Sequence, residues 1–224
     1  MFSLTRPTDA QIRQLLREST DAPYSYPEVG VSRGDASDAR FVRDHQRGQL
    51  GTGEAAYLAA CQAINEWKMF PTPWTAVYSV SHKKTGDEAT GTVEPAGLAG
   101  LAPEEGTVVA LVIKTLGLWS QNACRIVHTF DETGPTRRYG FAYGTLPTHV
   151  ETGEEQFAVE WDEEDRVWYD LRAWSRPRHW LTWVGFPIAR LFQAKFRRES
   201  LESMQQAVAA ALDVTGAGDG FATK

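Results

Sequence analysis

The chain has 224 residues, of which 42% are hydrophobic and 23% charged, a balance that excludes a disordered chain and provides enough apolar surface for one large core. Its 23 Lys and Arg stand against 29 Asp and Glu, for a formal net charge of -6. The basic footprint of a general nucleic-acid binder is therefore missing, and no nucleic-acid partner is expected.

In chain order, Met1–Pro7 lacks the apolar core of a signal peptide, and the expectation is a soluble, cytoplasmic protein. Thr8 and Asp9 are candidate caps of a short helix through Glu18, with Ile12, Leu15 and Leu16 on one face. Residues 21–50, rich in Pro, Gly, Asp and Arg, read as an irregular arm. A second helix runs from Gly53 to about Phe70, with Tyr57, Leu58, Cys61, Ile64 and Trp67 at helical spacing, and Pro71 and Pro73 stop it. Trp74–Val80 is a strand, and residues 81–106 are a loop.

Strands dominate from there. Thr107–Lys114 is apolar on both faces and reads as a central strand. Cys124–Phe130 and Arg138–Gly144 flank a turn at 132–135. Glu155–Trp161 alternates strictly, and the acidic turn Asp162–Asp165 joins it to Val167–Ser175. From Pro187, the residues Ile188, Phe192, Phe196, Met204, Val208 and Ala211 keep one apolar face of a long helix. The fold class is therefore α+β: a curved antiparallel sheet wrapped around a long C-terminal helix. The chain divides into an N-terminal helical extension (1–23), one domain (24–212) and a flexible tail (213–224).

Several motifs fail their context. Gly51-Thr52-Gly53-Glu54-Ala55-Ala56 follows a polar stretch rather than an apolar strand, so it reads as a turn and helix start, not a dinucleotide loop. Asp213–Phe221 is similar to the anion-hole run of ribokinase-type sugar kinases, but three residues later the sequence stops, and a flexible tail is the simpler reading. The five histidines and the two cysteines, Cys61 and Cys124, show no metal-ligand spacing and no disulfide framework. No metal and no cofactor are expected.

Two constellations remain. Between Tyr143 and Glu155 a Pro- and Gly-containing loop places His149 close in sequence to Glu151, Glu154 and Glu155. A carboxylate there would orient the imidazole for acid–base chemistry, and an exposed hairpin loop is the simpler alternative. In Trp174–Trp180, Arg176 or Arg178 would clamp an anionic group, or pair with the acidic hairpin. Charge is also unevenly placed. Residues 150–165 hold eight acids and no base, whereas residues 171–198 hold seven bases, several aromatics and no acid. The second stretch fits either an anionic membrane surface or a core helix with a basic wet face.

Tyr26–Gly34, Leu50–Glu54, Trp67–Phe70, Cys124–Val127, Tyr139–His149, Gly153–Phe157 and Trp174–Pro177 together resemble uncharacterised protein family 0548, a domain of unknown function. The resemblance covers residues 24 to about 206 and implies a fold similar to the START-like helix-grip domains, which hold a hydrophobic ligand between sheet and long helix. It implies no mechanism. The polar insertion around His82–Glu94 departs from the family pattern. The leading expectation is a hydrophobic or amphipathic small molecule, oriented by Arg125, Tyr143, His149, Glu155 and Arg176. The alternatives are a hydrolase, cyclase or isomerase using His149 with Glu151 or Glu155, and a peripheral membrane or protein-interaction module using residues 171–198.

Overall fold

The computed structural model of the chain describes residues 2–34, 41–71, 73–81, 92–96, 102–177 and 180–218. Its strands are β1 (Phe2–Ser3), β2 (Val42–Thr52), β3 (Thr75–Ser81), β4 (Thr92–Pro95), β5 (Val108–Thr115), β6 (Leu118–Glu132), β7 (Arg137–Thr145), β8 (Glu151–Trp161) and β9 (Arg166–Pro177). The helices are α1 (Asp9–Ser19), α2 (Gly53–Asn65) and α3 (Trp180–Gly218). The strands form one antiparallel sheet in the order β2-β9-β8-β7-β6-β5-β3-β4, with β1 paired to β6 off that path. The expected α+β class holds: an antiparallel sheet against a long C-terminal helix, the helix-grip arrangement.

Strand alternation sorts the side chains between two faces. On the inner face Leu111, Ile126, Phe141, Phe157 and Tyr169 pack with Tyr57 and Ile64 of α2 and with Met204 and Val208 of α3. On the outer face Ala110, Val112, Ala123 and Leu146 receive Ile12, Leu15 and Leu16 of α1. That second cover explains why β5 is apolar on both sides. Each of the three α1 residues contributes about 1.5–3 kcal/mol by leaving water. Thr8 caps α1 as expected, in a capping box with Gln11.

The structure corrects several boundaries, among them residues 92–95 of the expected loop 81–106, which form β4 against β3, and residues 151–154, expected in a loop, which open β8. Residues 42–50, expected within an irregular arm, form with Gly51 and Thr52 the edge strand β2 along β9. Their side chains pair through polar contacts rather than apolar ones: Asp44 meets Arg190 and Arg197, His45 meets Asp170, and Arg47 meets Glu160. Hydrophobic periodicity is silent about such a strand. Helix α2 stops at Asn65, not Phe70, because Trp67 is left-handed (φ 57°) and the Lys68 amide reaches back to the Ala63 carbonyl. Helix α3 begins at Trp180, ahead of the proline read as its start. It also runs to Gly218, so residues 213–218 are helical; 219–224 lie outside the described residues, as do 82–91 of the polar insertion. The acidic turn folds as read. Asp162 accepts from the Glu164 and Arg166 amides and from the Arg166 and Trp168 side chains.

Residues 20–34 cross the outer face of β6–β9 and are fastened there by Glu154. This buried carboxylate accepts from the Tyr26 hydroxyl (2.8 Å), the Gly30 amide (2.6 Å), and the amide and hydroxyl of Ser32. Gly30 has φ 90°, a conformation that leaves its own amide and that of Ser32 aimed at one anion.

Candidate functional site

Between the inner face of the sheet and α3 lies a cavity of about 410 Å³, within the ~300–1,000 Å³ range of small-molecule sites. Its apolar wall includes Phe70, Trp74, Leu111, Ile113, Phe192 and Phe196. The reversal at Trp67 carries Phe70 into this wall, where its ring lies 5.6 Å from both Phe157 and Phe196. Trp74 is held from α3: its indole N–H donates to Glu199 (2.7 Å), and the Lys195 ammonium sits 4.0 Å from its ring centre.

Polar groups gather around one part of this wall. The Tyr143 hydroxyl donates to Oε2 of Glu155. These residues are opposite each other on β7 and β8, both on the inner face. Burial pushes the Glu155 carboxyl up to about 7, with the neighbouring Glu151 and Asp44 adding to the rise and the Tyr143 bond and Arg197 opposing it. Glu151, four residues earlier on the same face, is raised for the same first reason, against a 2.8 Å bond from Gln193 of α3. Asp44, 7% exposed, is clasped by Arg190 and Arg197 of α3, the latter at 3.2 Å. Two guanidiniums on one buried carboxylate tie edge strand β2 to the helix that covers the cavity.

Of the five residues expected to orient a ligand, Tyr143, Glu155, His149 and Arg176 line the cavity, and Arg125 does not. Tyr143 and Glu155 meet directly. His149 lies in the β7–β8 loop, where its Nδ1 accepts from the Glu151 amide at 3.0 Å. Among the described residues, the Glu151 side chain is bonded to Gln193 and that of Glu155 to Tyr143. Arg176 turns its guanidinium to the outer face, 3.5 Å from Glu28 and 4.9 Å from the Phe41 ring centre. Arg125 also faces outward, donating to the Ser19 and Thr20 carbonyls (3.0 and 2.7 Å) over the Tyr24 ring. It caps the end of α1, a role that strand parity with the outward-facing Ala123 foreshadows. The sequence reading missed Asp44, whose polar strand shows no hydrophobic signal. It also missed Arg190 and Arg197, whose seven-residue spacing on one helix face is the cue.

The chain matches the family described as a domain of unknown function, DUF1990, over residues 25–103 and 91–203. It belongs to this family. Its relatives include UPF0548 proteins of Dictyostelium discoideum (28% identical, 93% of this chain and 96% of that one) and of Arabidopsis thaliana (27%, 91% and 95%). A third, from Deinococcus radiodurans, is 30% identical over 86% of this chain and 88% of its own. Among solved structures, a hypothetical protein of Helicobacter pylori aligns with TM-score 0.44 and 11% identity, covering 84% of this chain and 96% of that one. Human STARD10 aligns with TM-score 0.42 and 10% identity over 92% and 81%.

The stretch matched to the family includes both the outer arm with Glu154 and the polar wall with Glu155. It also includes the whole basic run, whose described arginines are engaged by the protein itself: Arg172 by Asp170, Arg176 by Glu28, Arg190 and Arg197 by Asp44, and Arg198 by Glu199 and Glu202. None of these partners belongs to the acidic hairpin. Among the described residues, no helix is long and apolar enough to cross a membrane, and no group of three or more His, Cys, Asp or Glu is placed to hold a metal ion.

Proposed function

We propose that this protein binds an amphipathic small molecule in the cavity between the sheet and α3. The observation that supports this reading is the cavity's composition: an aromatic and aliphatic wall with a few polar groups set in it. Apolar walls supply affinity, and a few placed polar groups supply orientation. A core built only for stability closes such a volume, because unfilled space forfeits dispersion contacts.

The test is native mass spectrometry of the purified chain, with titration of an environment-sensitive apolar dye. A co-purified small molecule or a saturable one-to-one dye signal is the expected result. Ala173 lines the cavity on β9. Replacing it with a large side chain, Ala173→Phe, is expected to remove the dye signal while the chain stays folded by circular dichroism. Dye binding undiminished in that variant sinks the reading.

A further inference from the structure

The polar part of the cavity has a chemical sign. Glu155 uses Oε2 for the Tyr143 bond, and its Oε1 has no hydrogen-bond partner among the described residues. Tyr143 has committed its hydroxyl hydrogen to that bond, so toward a ligand it too offers only an acceptor. Glu151 likewise has one oxygen bonded to Gln193. The cationic groups nearby are already taken, because Arg190 and Arg197 converge on Asp44. Arg176 has turned to Glu28 on the outer face. Around Glu155 the site therefore presents acceptors, beside an aromatic wall whose ring faces also favour cations.

We infer that the ligand carries a hydrogen-bond-donating head of the primary-amine class, seated on the open oxygen of Glu155, with its apolar body against Phe70, Phe192 and Phe196. This rests on the binding reading above. An anionic head would meet Glu155 and Glu151 as like charges. A neutral hydroxyl would gain one ordinary hydrogen bond, whereas an ammonium on a carboxylate gains a charge-assisted one.

The charged and titratable groups around Glu155 are Tyr143 from β7, Cys124 from β6, Tyr169 from β9, Glu151 earlier on β8, Asp44 from β2 and Arg197 from α3, with His149 of the β7–β8 loop lining the same cavity. Burial pushes Cys124, Tyr143 and Tyr169 above their ordinary values. With its carboxyl at about 7, Glu155 ionises between pH 6 and 8, and the Glu155→Gln variant isolates its share of any pH dependence from that of His149. An alkylamine stays protonated throughout that range. Affinity for an ammonium head therefore rises with pH across the window.

The experiment is calorimetric titration of the full chain with dodecylamine, dodecanol and dodecanoate, below their aggregation concentrations, at pH 6 and pH 8. Dodecanol is expected to bind, with dodecylamine at least about tenfold tighter at pH 8 and the advantage shrinking at pH 6. Glu155→Gln, shown to be folded by its circular-dichroism spectrum, is expected to lose the amine advantage together with its pH dependence. If dodecanol binds but the amine is no tighter, or if dodecanoate is the tightest of the three, the amine assignment is overturned while the binding reading stands. If none of the three binds, both are overturned.

Discussion

Glu154 and Glu155 are joined by one peptide bond and serve opposite faces of β8. Glu154 faces outward under the arm and accepts from four donors, those of Tyr26, Gly30 and Ser32, leaving it 3% exposed. Glu155 faces inward, has one donor in Tyr143, and borders open space. The outer carboxylate is saturated, and it fixes the arm to the sheet. The inner one is desolvated without being saturated, and its pKa is raised for that reason. Full satisfaction of a buried charge marks structure, while an acceptor kept open marks a place for something else to bind.

The largest effect that would break this contrast belongs to the outer face. Glu154→Ala leaves the Tyr26, Gly30 and Ser32 donors without their acceptor. A loss of about 3 kcal/mol or more is expected in urea denaturation, from roughly 1–3 kcal/mol for each buried donor stranded. A loss under about 1 kcal/mol would show that the arm is not fastened there.

Next comes Glu155→Gln. The folded chain keeps the Glu155 proton up to about pH 7, while the unfolded chain releases it near pH ~4.3. Raising the pH between those values therefore favours unfolding, and the cost persists above pH 7. Relative to the variant, the wild type is expected to lose on the order of 2–3 kcal/mol between pH 4 and pH 8. Identical pH profiles for the two would remove the contrast.

Gly144 sharpens the comparison at intermediate size. It lies on the outer side of β7, where an added Cβ would come within 2.1 Å of the Tyr26 hydroxyl and 3.0 Å of the Tyr24 ring. Gly144→Ala is expected to cost about 1–3 kcal/mol by overpacking and to leave dye binding in the cavity unchanged. The smallest change is Arg125→Met, with an expected loss of about 1 kcal/mol as the α1 carbonyls lose their donor. Ligand affinity is expected to stay at the wild-type value. A weakened affinity would return Arg125 to the site from which the structure removes it.

How far the site was legible follows from the same parity. Tyr143 and Glu155 lie in two segments read as strands, but their pairing is decided by the register between β7 and β8, which the folded sheet sets. Arg125 and Arg176 sit in recognisable segments, yet the face each occupies depends on what covers the sheet from outside. Composition and motif density carry no information about that cover. At His149, closeness in sequence at a strand end does not by itself fix which group a side chain meets, and the Glu151 main-chain amide donates to its Nδ1.

By itself, the sequence determined the strand alternation, the acidic turn at Asp162, the capped first helix and the long apolar helix face, because local sterics and periodic burial act over a few residues. Only the tertiary structure decided that polar residues 42–52 form an edge strand, that Asp44 gathers Arg190 and Arg197, and that Glu154 is filled while Glu155 stays open. Those outcomes depend on partners more than a hundred residues away in the case of Asp44 and Glu154. A charged side chain says how strongly it needs a partner, but only the folded chain supplies one.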